Sequence, residues 1–283
     1  MFRWLTDRRR RRILETPFPA EWDAYIAENV AITHRLGVAE RMKLRELVQI
    51  FLAEKHFEGC GGLELTDEVK VTIAAQACVL LLGRDDPSLY DDVGSILVYP
   101  SVVRSPPRKL GIFEQPRAPI GAGVALQGEA IMGGPVILAW DVALAGGREE
   151  SHGNVVFHEL AHKIDMANGA VDGAPPLPNR ARIRRWSAVF SAAFDRLQRD
   201  LAAGWPTAID PYGATNEAEF FAVATETFFT RPAELRAAEP ALYAELAAFY
   251  AIEPPAPPPP PPLELSPFGG FGPLGGFGPL PLN

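Results

Sequence analysis

Between residues 20 and 58, apolar side chains recur at intervals of three and four: Trp22, Tyr25 and Ile26, then Leu44, Leu47, Val48 and Phe51. That spacing predicts helices with one buried face. Gly59 to Gly62 interrupts it, and Thr66-Asp67-Glu68 opens a further helix with Thr66 as N-cap. To about Leu82 this helix is apolar nearly all round, which predicts a central position. The period then changes. Ile96 to Tyr99, Gly123 to Leu126 and Val136 to Trp140 are short β-type runs bounded by glycine and proline. From 154 to 250 helical spacing returns, interrupted at 169–180 and 204–214. Helices, a small sheet, then helices predict an α+β domain.

The pattern stops near residue 252. Twelve of the 28 prolines follow Ile252, and Gly269-Gly270-Phe271-Gly272-Pro273-Leu274 repeats at once as residues 275–280. Such a segment lacks donors and favours no regular element. The chain therefore divides into one domain, 1–251, and a Pro/Gly-rich disordered tail, 252–283. The tail also fits a proline-rich ligand.

Composition narrows the function. The 283 residues carry 27 Lys+Arg against 35 Asp+Glu, a net charge of −8, which argues against direct nucleic-acid binding. The basic run Arg8 to Arg12 reads as a solvated helix start beside Asp7 and Glu15. Two cysteines, Cys60 and Cys78, are too few for a disulfide framework and fit a reducing compartment. No secretory signal follows Arg12, and the best apolar run, Val71 to Leu82, is far shorter than the roughly 20 residues of a membrane span. The expected location is the cytoplasm.

The chemistry concentrates in Asn154-Val155-Val156-Phe157-His158-Glu159-Leu160-Ala161-His162-Lys163-Ile164-Asp165. At about 100° per residue, His158, His162 and Asp165 fall within about 60° of one another, opposite Phe157, Leu160, Ala161 and Ile164. One face packs. The other presents two imidazoles one turn apart, the spacing that a single Zn²⁺ requires. Glu159 lies to one side, placed to act as general base on a water at the metal. Asp165 fits either a carboxylate orienting an imidazole or a plain solvated side chain.

A catalytic zinc takes three protein ligands. The chain has five histidines. His34 and His56 fall in the distant helical region and read as surface residues, and His152 is too near the helix start. The metzincin pattern is excluded, because Asp165 and Asn168 stand where it needs glycine and histidine. A downstream carboxylate is expected instead. The segment Asn216 to Phe229 offers Glu217, Glu219 and Glu226 beside a core face of Phe220, Phe221, Ala224 and Phe228. Glu219 leads as ligand and Glu226 stands behind it, although the same pattern fits a solvated face. Val136 to Trp140, just before this motif, fits either an edge strand that pairs with an extended substrate or a buried strand.

The motif His158 to Met166, with Gly134 to Leu138 before it and Pro175-Pro176-Leu177 after it, resembles the Mlc titration factor A family of bacterial cytoplasmic zinc metallopeptidases. Gly61 to Glu68 and Val71 to Cys78 are similar to the same family, as is Tyr212, seven residues before Glu219. The resemblance spans about 15–250. It implies a zincin-like fold related to the catalytic domain of anthrax lethal factor. It implies one Zn²⁺ held by His158, His162 and Glu219, with Glu159 as general base and Tyr212 assisting. It implies aminopeptidase-type cleavage of peptides and, in enterobacteria, binding to the glucose repressor Mlc. The tail departs from the family pattern. The alternative is a binding module that keeps the fold and sequesters an Mlc-like transcriptional repressor with little peptidase activity.

Overall fold

The computed structural model describes residues 3–84, 87–104, 125–148 and 153–254. Gly123, Val124, His152 and most of the proposed tail, 255–283, lie outside the described residues. The first helices are α1 (Arg3–Leu14), α2 (Ala20–Asn29) and α3 (Val38–Glu54), followed by strand β1 (His56–Gly59) and α4 (Asp67–Val79). Five short strands come next: β2 (Ser95–Tyr99), β3 (Val103–Arg104), β4 (Ala125–Leu126), β5 (Gly128–Ala130) and β6 (Val136–Ala139). The rest is helical: α5 (Trp140–Arg148), α6 (Val155–Met166), α7 (Arg180–Ala202), α8 (Glu217–Thr230), α9 (Pro232–Ala238) and α10 (Pro240–Tyr250). The fold is α+β.

Four strands form one sheet in the order β1-β2-β6-β5. β1, β2 and β6 are parallel, and β5 closes the sheet antiparallel to β6. This corrects the edge-strand expectation for Val136 to Trp140. β6 is interior, with Val136, Leu138 and Ala139 buried, and Trp140 already belongs to α5. The edge is the three-residue β5. Gln127 accepts from the Ala139 N–H at 2.9 Å and the Ile131 N–H donates to Pro135 at 3.1 Å. Gly128 and Ala130 therefore turn their backbone groups away from β6, toward the open edge.

The expected central helix is α4. Val69 and every residue from Val71 to Val79 are buried. Thr66 caps it, accepting from the Val69 N–H, as its position predicted. Four elements were not predicted: β1, within the stretch read as helical, the short strands β3 and β5, and α5. In α5, Gly147 marks a close approach, because a Cβ there would lie 2.4 Å from the Asn29 carbonyl oxygen. The C-terminal helices enclose an aromatic core in which Trp186 stacks on Phe190 at 3.9 Å and packs edge-on against Phe221 and Phe249. His34 and His56 are exposed, as expected, and Arg8, Arg9, Arg11 and Arg12 line the solvated side of α1.

Candidate metal centre

Helix α6 begins where Asn154 stops the preceding loop. Its Oδ1 accepts from the Phe157 N–H at 2.9 Å, an N-cap bond, while its Nδ2 donates to Gln76 on α4 and to the Gly146 carbonyl. The cap thus also fixes α6 against the central helix. Phe157, Leu160, Ala161 and Ile164 pack inward, as the period predicts. The opposite face is not open to solvent: Glu159, His162, Lys163 and Asp165 are buried too, and only His158 is partly exposed. The solvated alternative for Asp165 is thereby removed.

Helix α8 packs against α6 and supplies the third group. Asn216 caps α8 by accepting from the Glu219 N–H at 2.9 Å, which places Glu219 in the first turn. Phe220, Phe221, Ala224 and Phe228 are fully buried, so the register of α8 is set by its apolar side. Glu219 and Glu226 then lie on the side facing α6. His158 Nε2 is 3.0 Å and His162 Nε2 3.2 Å from Glu219 Oε2, and the two Nε2 atoms are 3.2 Å apart. Glu217 is exposed and stands outside this cluster.

Glu226 settles the chemistry of the first imidazole. Its Oε1 lies 2.6 Å from His158 Nδ1, and its Oε2 accepts the Asn154 backbone N–H at 2.8 Å. A carboxylate at Nδ1 keeps the proton there and leaves Nε2 with a lone pair. Nε2, Nε2 and an ionised carboxylate oxygen at about 3 Å are three acceptors facing one another. Such a set repels itself unless a cation sits among them, and two imidazoles with one carboxylate suit zinc. The titration behaviour agrees. Burial opposes a charge on His158, but Glu219 and Glu226 outweigh it and hold its pKa well above the ordinary value. Burial likewise opposes charge on Glu219, yet its bonds from His158 and His162 hold it well below the usual carboxylate range.

Glu159 is held apart from this cluster. Burial pushes it up to about 7, with His158 and His162 opposing. A carboxyl poised near neutrality suits proton transfer. Above it runs β5, and a Cβ on Gly128 would come within 2.7 Å of Glu159 Cγ and Oε1. Only glycine lets the open strand edge approach so closely. Lys163, next along α6, is completely buried, donating to the Ile131 and Gly134 carbonyls at 2.8 and 2.9 Å. It fastens the β5–β6 turn to the same helix. Tyr212, in a 3₁₀ turn at Pro211–Ala214, stands beside His158 with ring centroids 5.9 Å apart. Partial burial, with Glu219 and Glu159 nearby, pushes its hydroxyl up to about 12, so it remains a donor at neutral pH.

Of the residues singled out from the sequence, His158, Glu159, His162, Tyr212 and Glu219 meet around one point with Glu226 behind His158, while Glu217 stays outside. Sequence reasoning missed Gly128 and Lys163. Gly128 sits in a strand too short to carry a period, and Lys163 reads as an ordinary charged helix residue.

The wider comparisons agree with the site. The model of the glucose-regulated metallo-peptidase M90 family matches residues 4–251. An uncharacterised protein of Synechocystis sp. is 39% identical over 254 residues, covering 89% of this chain and 90% of that protein. Proteins named Mlc titration factor A are also similar. The one from Escherichia fergusonii is 31% identical over 241 residues, covering 82% of this chain and 86% of its own. The one from Klebsiella pneumoniae is 32% identical over 243 residues, covering 83% and 87%. A family match over nearly the whole folded part, joined to two histidines and a glutamate at one point, places the chain in the glucose-regulated metallo-peptidase M90 family.

Proposed function

We propose that the protein is a zinc-dependent peptidase of aminopeptidase type, with His158, His162 and Glu219 as metal ligands, Glu159 as general base and Tyr212 as an oxyanion donor. The observation that carries this reading is the convergence of three lone-pair atoms beside a buried carboxyl tuned to about 7. Zinc bound at this point supplies Lewis acidity, bringing the ionisation of water there to about pH 7 and polarising a carbonyl. The rest is work for the chain itself. Glu159 takes a proton from the attacking water and returns it to the leaving amine. Tyr212 donates a hydrogen bond to the oxygen that gains charge. The open edge at Gly128 and Ala130 offers backbone groups to an extended peptide, aligned over Glu159.

The test is metal analysis of the purified protein, with peptide hydrolysis measured before and after chelation. About one zinc per chain and loss of hydrolysis on chelation are expected. Hydrolysis that survives complete metal removal overturns the reading.

The name carried by the relatives favours a second reading, in which the protein binds an Mlc-like transcriptional repressor. A pull-down with the Glu159→Gln variant separates the two, since partner binding survives loss of the general base. No described helix is long and apolar enough to cross a membrane, which is compatible with the proposed cytoplasmic site of action.

A further inference from the structure

The two imidazoles are treated unequally. His158 has Glu226 at Nδ1. His162 Nδ1 is buried and has no hydrogen-bond partner. When Nε2 of a neutral imidazole faces a metal, the ring's proton must sit on Nδ1. A buried N–H without an acceptor is destabilising, because it has lost water and gained no partner, so one is needed. Among the described residues, the buried side-chain acceptors without hydrogen-bond partners are Asp165 Oδ1 and the two oxygens of Glu245. Glu245 is committed to Arg182 and Arg185 on α7. Asp165 lies three residues after His162 on α6, the spacing at which helix side chains are neighbours. It is fully buried. Its other oxygen, Oδ2, accepts the Gly173 N–H at 3.0 Å. Burial pushes this carboxyl up to about 6, opposed first by the Gly173 bond and more weakly by the nearby His162 ring.

We infer that Asp165 is the positioning carboxylate of His162, its Oδ1 reached from the Nδ1–H across one water, whereas Glu226 meets His158 Nδ1 directly. The inference rests on the metal reading above. It also gives the loop after α6 a role. Gly173 adopts a left-handed conformation (φ +73°), and a Cβ there would lie 2.4 Å from the Glu217 carbonyl oxygen. Its own carbonyl accepts from Trp186 Nε1 at 3.0 Å. Asp165 therefore joins His162 to a loop pressed against the first turn of α8, where Glu219 sits.

The experiment is a zinc titration against a competing chelator for wild type, Asp165→Asn and Trp186→Phe. Asparagine still offers an oxygen to Gly173 but sets an N–H, in place of an acceptor, against the bridging water. Asp165→Asn should weaken zinc binding by about 10–100-fold. Trp186→Phe frees the Gly173 carbonyl but keeps the Asp165 carboxylate, so it should lose less zinc affinity than Asp165→Asn. Equal affinity in Asp165→Asn and wild type overturns the inference, as does an equal loss in Trp186→Phe. If Asp165→Asn does not fold, the wild type decides: with ¹⁵N-labelled histidine and zinc bound, His162 should show a slowly exchanging Nδ1–H. Exchange as fast as in free imidazole overturns the proposal. Absence of zinc binding in wild type fails earlier and takes the metal reading with it.

Discussion

Helices α4 and α6 are both buried nearly all round, and both carry polar side chains into the interior, yet they use them differently. On α4, Thr72 accepts from Asn29 at 3.0 Å. Gln76 donates to the Thr72 and Ala143 carbonyls and accepts from Asn154. Every side-chain group of Gln76 is committed to holding elements together. On α6, His158 and His162 turn Nε2 toward one point, and Glu159 keeps a carboxyl that burial drives toward the neutral form. A buried polar group that is fully satisfied specifies the fold. One left with an uncommitted lone pair or proton is available for chemistry. Asn154 belongs to both sets, capping α6 while bonded to α4, so the reactive helix is mounted on the inert one.

Substitutions should separate the two helices sharply. The largest effect is expected for Glu159→Gln, which removes the proposed base without touching the proposed ligands. Zinc content should stay near one per chain while kcat falls by about 10²–10⁴-fold in a peptide assay. Parental kcat in that variant would erase the distinction. Tyr212→Phe should keep zinc and KM and lower kcat by about 10²–10³-fold, because it takes one donor from the developing oxyanion. An unchanged kcat removes Tyr212 from the reaction. Glu226→Gln should act on the metal instead, weakening zinc by about 10–100-fold in a chelator competition. Glu219→Ala should weaken it further, and Glu217→Ala, exposed and outside the cluster, should leave it unchanged.

The α4 counterpart is Gln76→Leu. It strands the Asn154 amide's bond to Oε1 and the Ala143 carbonyl, and should cost about 1–3 kcal/mol in urea unfolding with kcat unaltered. A fall in kcat without loss of stability would mean that the inert helix has a direct part in catalysis. The smallest effect is expected at the C-terminus. Ile252 packs against the core and Glu253 bonds Arg236 at 2.6 Å; we propose that the tail beyond Pro254 adds nothing to the folded domain, so a chain ending at Pro254 should melt at the full-length temperature. A drop of several degrees would show tail residues docked on the domain.

The same contrast explains what could be read from the sequence. The histidine-bearing helix α6 was legible because cap, apolar period and histidine spacing agree within twelve residues. The carboxylate that completes the cluster was legible as a short list, since Phe220, Phe221 and Phe228 fix which glutamates face outward from their core. The choice among Glu217, Glu219 and Glu226 depends on where α6 lies against α8, which no local pattern encodes. β5 was missed because three residues, one of them Gly128, cannot establish alternation, and its place at the edge is a property of the sheet. β1 was read as helix because His56-Phe57-Glu58-Gly59 carries no alternating burial; its pattern is exposed on three of four positions. Asp165 stayed ambiguous because burial, which decides it, comes from Gly173 and the loop folding back.

The hold on His158 has a kinetic side. Glu219 and Glu226, seven residues apart on α8, touch opposite nitrogens of one ring. The ring cannot swing aside alone, since any flip that frees Nε2 also breaks the bond at Nδ1 to Glu226, a carboxylate that the Asn154 N–H holds in place. An ion held here would leave by the parting of two packed helices rather than by the motion of one side chain. Its residence time would then be set by how often that pair breathes, a cooperative local opening of the core. Loading and loss would both be slow, and a chain that folds around its metal would keep it through dilution that strips a surface site.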